Sequence, residues 1–179
     1  MRGKRIAIPG TLTTAYLALK LYEPDFTAVP TPFDRIEDAV VRGDVDLGLL
    51  IHEGQLTFES YGLEKILDLG EWWLLETGLP LPLGVNVARR DLGPEKLHDL
   101  SDVLAESIQC GLDHRAEALE YALQFGRGID AAVADRFVGM YVNELTEDYG
   151  DEGRQAVREL LQRAEKLGTF PDPVRVEFV

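Results

Sequence analysis

Apolar and polar positions in the first sixty residues alternate between two periods. "RIAIPG" is a short apolar run closed by Pro9 and Gly10, which predicts a strand. "TTAYLALKLY" then places apolar residues at helical spacing, opened by threonine hydroxyls and stopped before Pro24. "FTAVPTPF" predicts a second extended segment, pushed towards a sheet edge by Pro30 and Pro32. In "DRIEDAVVRG" Ile36, Ala39 and Val40 share a helix face. Asp34 and Glu37 have capping-box spacing there, and Gly43 suits the C-terminal cap. "VDLGLLIH" is nearly continuously apolar, which predicts a central parallel strand buried on both faces. The order is βαβαβ.

Beyond residue 60 the pattern loosens. "LEKILDLGEWW" predicts a strand running into a turn, and "TGLPLPLGVNVARR" an extended segment interrupted by two prolines. From Pro94 to Gly168 the spacing is helical. Val133, Phe137, Met140 and Tyr141 form one stripe; Val157, Leu160, Leu161, Ala164 and Leu167 form another. Asp151 and Glu152 suit the positive end of that last helix, and Gly168 lies past its final turn. "PVRVEFV" alternates and predicts a closing strand.

Composition narrows the function classes. The chain has 179 residues, enough for one domain or two small lobes, and its 45% hydrophobic content is that of a folded protein. Eighteen Lys and Arg against 32 Asp and Glu leave a net charge of -14. That excess repels phosphate backbones and anionic lipid, so neither nucleic acid nor membrane is an expected partner. A small anionic substrate would need a local cradle of amides and hydroxyls. "MRGKRIAIPG" has no long apolar signal region, so the expected location is cytoplasmic. Cys110, the one cysteine, reads as a small apolar filler on a helix.

Two features fall on the carboxyl edge of the predicted sheet, where open α/β folds collect their ligands. One is "PGTLTTAY", where a strand gives way to a helix whose free amides and dipole attract a carboxylate or phosphate. The hydroxyls of Thr13 and Thr14 can add to that cradle, although threonines before a helix are more often only caps. The other is His52, at the end of the third strand. A strand-end histidine is more often structural than a base, so the convergence of the two features is what raises it. Strand alternation would turn Glu53 to the opposite face, which argues against a dyad between those neighbours. Metal chemistry has little support: "HEGQL" has Leu56 where a zinc-peptidase helix needs its second histidine. His98 and His114 lie in polar helical settings. "GRGID" at 126 has two glycines and no strand before it, so it does not make a dinucleotide loop. Trp72 and Trp73 read as core rather than as a site wall.

Four segments together form a recognisable pattern: "IPGTLTTAYLALKLY", "GLLIHEGQLTFESYGL", "DLGEWWLLETGLPLPLGVNVARRDLG" and "YVNE". Their order and spacing resemble the 1,4-dihydroxy-6-naphthoate synthases of the futalosine route to menaquinone, over essentially the whole chain. The resemblance implies an α/β, periplasmic-binding-protein-like (type II) two-lobed fold, with the substrate enclosed between the lobes. It implies a lyase that splits cyclic dehypoxanthine futalosine into the bicyclic naphthoate and a sugar-derived remnant, with no metal or organic cofactor. The family's proton acceptor falls on His52, and its substrate-binding pair on Thr14 and Ala15, the latter through its backbone amide. Chorismate dehydratase, on the same fold and pathway, and a non-catalytic solute-binding module are the alternatives; "IHE" together with "TGLPLPLG" favours the synthase.

In the family a strand-and-helix segment precedes the motif that starts here at Arg2. Residues 1–90 are therefore expected to form the second lobe, and residues 91–179 a mainly helical segment returning to an incomplete first lobe. The chain alone is expected to be catalytically silent or nearly so. Its expected partners are a second copy or a completing N-terminal segment.

Overall fold

The computed structural model describes residues 1–125 and 130–179. Strand β1 (Arg5–Ile8) leads to helix α1 (Thr14–Tyr22), strand β2 (Thr27–Pro30), helix α2 (Ile36–Val41) and strand β3 (Leu47–Gly48). Short helix α3 (Gly54–Thr57) and helix α4 (Leu69–Thr77) follow. Then come α5 (Pro94–Asp113), α6 (Arg115–Leu123), α7 (Ala131–Tyr141), α8 (Glu144–Glu147) and α9 (Gly150–Lys166). The fold is α/β, with a small all-parallel sheet and many helices. The glycine pair of "GRGID" lies outside the described residues.

The chain divides into two compact units. One comprises Met1–Gly84 with Gln155–Val174, the other Val85–Arg154 with Arg175–Val179. The first holds the sheet, in the order β2-β1-β3. β1 is therefore the central strand, with Ile6 opposite Ala28 on one side and Leu47 on the other. Its alternation serves both faces. Ile6 and Ile8 pack with Leu19 and Leu49 under α1, whereas Ala7 packs with Ile36, Ala39 and Val45 under α2.

Several sequence expectations change here. The run "VDLGLLIH" forms the edge of this three-stranded sheet rather than its centre, and its ladder is brief. Only Leu47 and Gly48 pair as a strand, with one further bond from the Leu49 amide to the Ala7 carbonyl. Helix α2 starts behind Arg35 after a turn of 3-10 helix over Phe33–Arg35, so Asp34 is not its cap and Glu37 is not the far half of a capping box. Gly43 does end the helix as expected, left-handed at φ 74, with the Asp44 amide bonded back to the Ala39 carbonyl.

Over "LEKILDLGEWW" the expected strand running into a turn is absent: residues 63–68 form no strand, and helix α4 begins at Leu69, capped by the Asp68 carboxylate, which accepts from the amides of Gly70 and Glu71. Trp73 of α4 is fully buried and donates its indole N–H to the Pro80 carbonyl at 3.2 Å; Trp72 meets Tyr22 of α1 edge-on. The Arg163 guanidinium of α9 lies over the Trp73 ring at 5.1 Å. Ala156, Val157, Leu160 and Ala164 are buried along α9, close to the expected stripe, while Leu167 at its end is exposed.

In the second unit, Arg115 joins α6 to α7 by donating to both the side chain (2.8 Å) and the carbonyl (2.9 Å) of Asp135. Residues 173–179 take no strand conformation, and neither do 81–89. The C-terminal segment is held by side chains instead. Glu177 pairs with Arg90 at 3.2 Å, and the Phe178 ring meets Tyr149 edge-on. Cys110 lies on α5 but is exposed, so it does not fill a core. Exposed too are His98, beside Asp102, and His114.

Two tests follow from the sheet. A methyl added at Gly48 would stand 2.6 Å from Ile36 Cγ2 and 3.0 Å from Val40 Cγ2. Gly48→Ala should therefore lower the unfolding free energy by about 1–3 kcal/mol in chemical denaturation; an unchanged midpoint would contradict the close packing. Asp46, just before β3, accepts from the Arg5 amide at 2.8 Å, and that bond, with Lys4 nearby, holds its carboxyl below the ordinary 3.8. A depressed folded value means that the contribution is present above the unfolded pKa and lost as pH falls through the folded one. The melting temperatures of Asp46→Asn and the unaltered chain should differ at about pH 6 and converge towards about pH 2.

Candidate active site

The carboxyl edge of the sheet is built from four chain segments, all in the first unit. After β1 the chain turns through Pro9–Leu12, and Leu12 is fully exposed. Thr13 is the cap of α1: extended at φ -102, ψ 146, its hydroxyl accepts from the Tyr16 amide at 3.2 Å and donates to the Gly10 carbonyl at 2.9 Å. Thr14 opens the helix, and its hydroxyl donates to the carbonyl of Leu83 at 2.8 Å. The two neighbouring threonines thus do different things. One satisfies the helix start; the other ties that start to the "PLPL" segment following α4.

Ala15 turns its methyl into the Ile6–Ile8 core, so only its backbone can face a ligand. The amides of Thr14 and Ala15 stand in the first turn, where helix geometry supplies no acceptor. With the positive end of the helix dipole behind them, they can receive an anion.

His52 is not at the end of a paired strand. It sits four residues past Gly48, in a turn entering α3, with the ring exposed. Its backbone is left-handed, φ 56, the only non-glycine residue with positive φ among those described. Strand alternation therefore says nothing about where Glu53 points. The Gln55 amide and side chain both donate to the His52 carbonyl, at 3.3 and 3.2 Å, while the Leu56 amide and the Thr57 hydroxyl donate to that of Glu53. The imidazole lies against the Phe33 ring, centroids 4.6 Å apart and tilted by 50°.

Sequence reasoning missed one residue at this edge. Glu37 is buried on α2, 8% exposed, and its Oε1 lies where a Cβ on Gly54 would come within 2.5 Å of it. A buried carboxylate was not legible from spacing, because Glu37 also fits a helix-capping pattern. The close approach of Gly54 appears only in three dimensions. No cluster of three or more His, Cys, Asp or Glu suited to a metal is found among the described residues.

Comparison with known proteins adds to this geometry. The family model described as menaquinone biosynthesis matches residues 1–166. The chain belongs to that menaquinone biosynthesis family. Two curated relatives are both named 1,4-dihydroxy-6-naphthoate synthase. The one from Streptomyces coelicolor is 41% identical over 96% of this chain and 63% of its own length. The one from Thermus thermophilus is 41% identical over 100% of this chain and 66% of its own. A crystal structure of protein AF1704 from Archaeoglobus fulgidus superposes with a TM-score of 0.89 at 47% identity, covering 94% of this chain and 64% of that one. The chain thus spans slightly under two thirds of the length of each of these relatives.

For this member of the menaquinone biosynthesis family, the division of labour between the threonines can be tested. Thr13→Val removes the cap and should cost about 1 kcal/mol of stability. Thr14→Val leaves the cap and should instead speed amide exchange in the segment around residues 79–84. Equal effects of the two substitutions on both readouts would mean that the roles are not separate.

Proposed function

We propose that this chain carries the proton-accepting and substrate-holding residues of a 1,4-dihydroxy-6-naphthoate synthase, a lyase acting on cyclic dehypoxanthine futalosine in the cytoplasm. In this reading the fold is of the type II periplasmic-binding-protein kind. Residues 1–90 belong to the second lobe and residues 91–179 to a mainly helical return. The observation that carries the reading is the carboxyl edge of one parallel sheet. A helix start with unpaired-by-geometry amides at Thr14 and Ala15 and a left-handed histidine, His52, both emerge from it. The shared name of two relatives 41% identical to this chain supports the choice of reaction over chorismate dehydration.

The chemistry follows from those groups. The amides of Thr14 and Ala15 take a substrate carboxylate, which the chain's net charge of -14 would otherwise repel. Holding that end fixes the reach to His52, so the imidazole meets a carbon acid beside a carbonyl without a separate encounter. The imidazole takes the proton. The released electron pair is held by the carbonyl as an enolate and then forms a new C=C bond as the bond to the sugar-derived part breaks; that fragment departs with the pair of the broken bond and takes back the proton from the imidazolium. Because the Thr14 hydroxyl is engaged with Leu83, the anion is held chiefly by N–H groups.

Two substitutions test this. In a full-length context, His52→Asn should lower turnover of cyclic dehypoxanthine futalosine by about 10²–10⁴-fold with little change in substrate affinity. Equal loss of both, or turnover of chorismate in place of the futalosine, would defeat the assignment. Thr14→Pro is compatible with a first helical position behind an extended Thr13, and removes one N–H along with the hydroxyl. It should bind the substrate about tenfold more weakly than Thr14→Val, the scale of one hydrogen bond to a charged group. Indistinguishable affinities for the two variants would remove the amide cradle from the mechanism.

A further inference from the structure

Helix α2 and the 3-10 turn before it run alongside residues 47–54 and touch them in three places. Ile36 and Val40 close on Gly48, the Phe33 ring meets the His52 ring, and the Glu37 carboxylate reaches Gly54. Phe33 lies in the 3-10 turn and Glu37 in the first turn of α2, on either side of Arg35. The aromatic partner of His52 and the buried carboxylate are thus presented by two adjoining elements of the chain. His52 and Gly54 bracket the turn between them, and the first of the two is held left-handed. A non-glycine residue stays in that conformation only where its surroundings over-determine it.

We propose that Glu37 is a positioning residue: its buried carboxylate, packed against Gly54, holds the turn that presents His52. It acts through the backbone of the turn rather than by touching substrate, and its role in turnover rests on the reading of His52 as the base. Gly54 belongs to the same device, because any side chain there would displace the carboxylate. Gly54 is helical, so alanine suits its backbone, and Gly54→Ala moves the Glu37 side chain without straining the chain itself.

The test combines Glu37→Ala, Glu37→Gln, Gly54→Ala and the Glu37→Ala/Gly54→Ala pair. Each is made in a full-length context and read in two ways: kcat and KM per folded protein with cyclic dehypoxanthine futalosine, and the nuclear Overhauser contact between the His52 and Phe33 rings. Glu37→Ala and Gly54→Ala should each lower kcat by about 10- to 100-fold, the cost of a slightly misplaced base, with KM within about threefold. Both should lose the ring contact while contacts between Ile8 and Leu19 persist. The pair should be no worse than either single change, since displacing the carboxylate and removing it undo the same hold. Glu37→Gln, of the same shape, should restore most of kcat and the ring contact. Should Glu37→Ala fail to fold, Gly54→Ala carries the test alone. Unchanged kcat and ring contact in Gly54→Ala, or losses that simply add in the pair, overturn the proposal. Loss of the ring contact in a full-length protein that never turns over the futalosine, even with Glu37 and Gly54 unaltered, would support the hold on the turn and defeat the proposed reaction instead.

Discussion

The candidate site depends on how closely residues 47–54 can lie against helix α2. Gly48 lets the backbone come within a methyl's reach of Ile36 and Val40, and that contact sets the distance between β3 and the helix. Once β3 is set, the chain leaving it has to pass Phe33 and Glu37, and His52 and Gly54 fall beside them. A side chain at position 48 would lift the whole segment, because the packed methyls it meets cannot move aside without opening the Ala7–Ile36–Val45 core. The packing of buried Ile36 and half-buried Val40 against one glycine is therefore a constraint on an exposed imidazole several residues away.

The same economy governs the other half of the edge. β1 is central, and the residues that make it so, Ile6, Ala7 and Ile8, serve two cores at once. Helix α1 must then begin directly beyond that strand, with Ala15 locked into the core and its amide left at the sheet edge. The Thr14–Leu83 bond and the Trp73–Pro80 bond fasten the proline-rich segment back onto the same unit. In an acidic chain this arrangement has a further consequence. Backbone amides attract an anion without adding lysines, so a site can accept a carboxylate while the surface as a whole stays repulsive to polyanions.

What could be read from the sequence was local. β1, α1, β2 and α2 fall where periodicity and punctuation put them, and Gly43 ends α2 as its position suggests. The errors share a cause. "VDLGLLIH" has the composition of a buried strand, but within the described residues only two positions are paired, since apolar residues report burial and not ladder partners. "DLGEWW" carries its own helix signal in Asp68 and Glu71, which the apolar "EKIL" before it outweighed. The alternation of "PVRVEFV" predicted a strand, whereas charge and aromatic contacts to Arg90 and Tyr149 hold that segment without one. Of the site, Thr14, Ala15 and His52 were singled out because they sit next to breaks in the pattern. Glu37 sits inside a pattern and was hidden by it.

His52 also shows how a conformational cost can be read. Every other residue with positive φ among those described is a glycine, as at Gly43 and Gly78, where the chain reverses at a helix end and nothing is asked of a side chain. A glycine at position 52 would make the same turn with less strain; an L-residue there costs about 1–2 kcal/mol. Histidine tolerates the conformation better than a branched or bulky residue, but not better than glycine. Packing recovers some of that cost through the Phe33 ring, yet the imidazole remains exposed, so burial does not explain its presence. A strained position filled by a side chain that the core does not need is the kind of outlier from which a functional proposal starts.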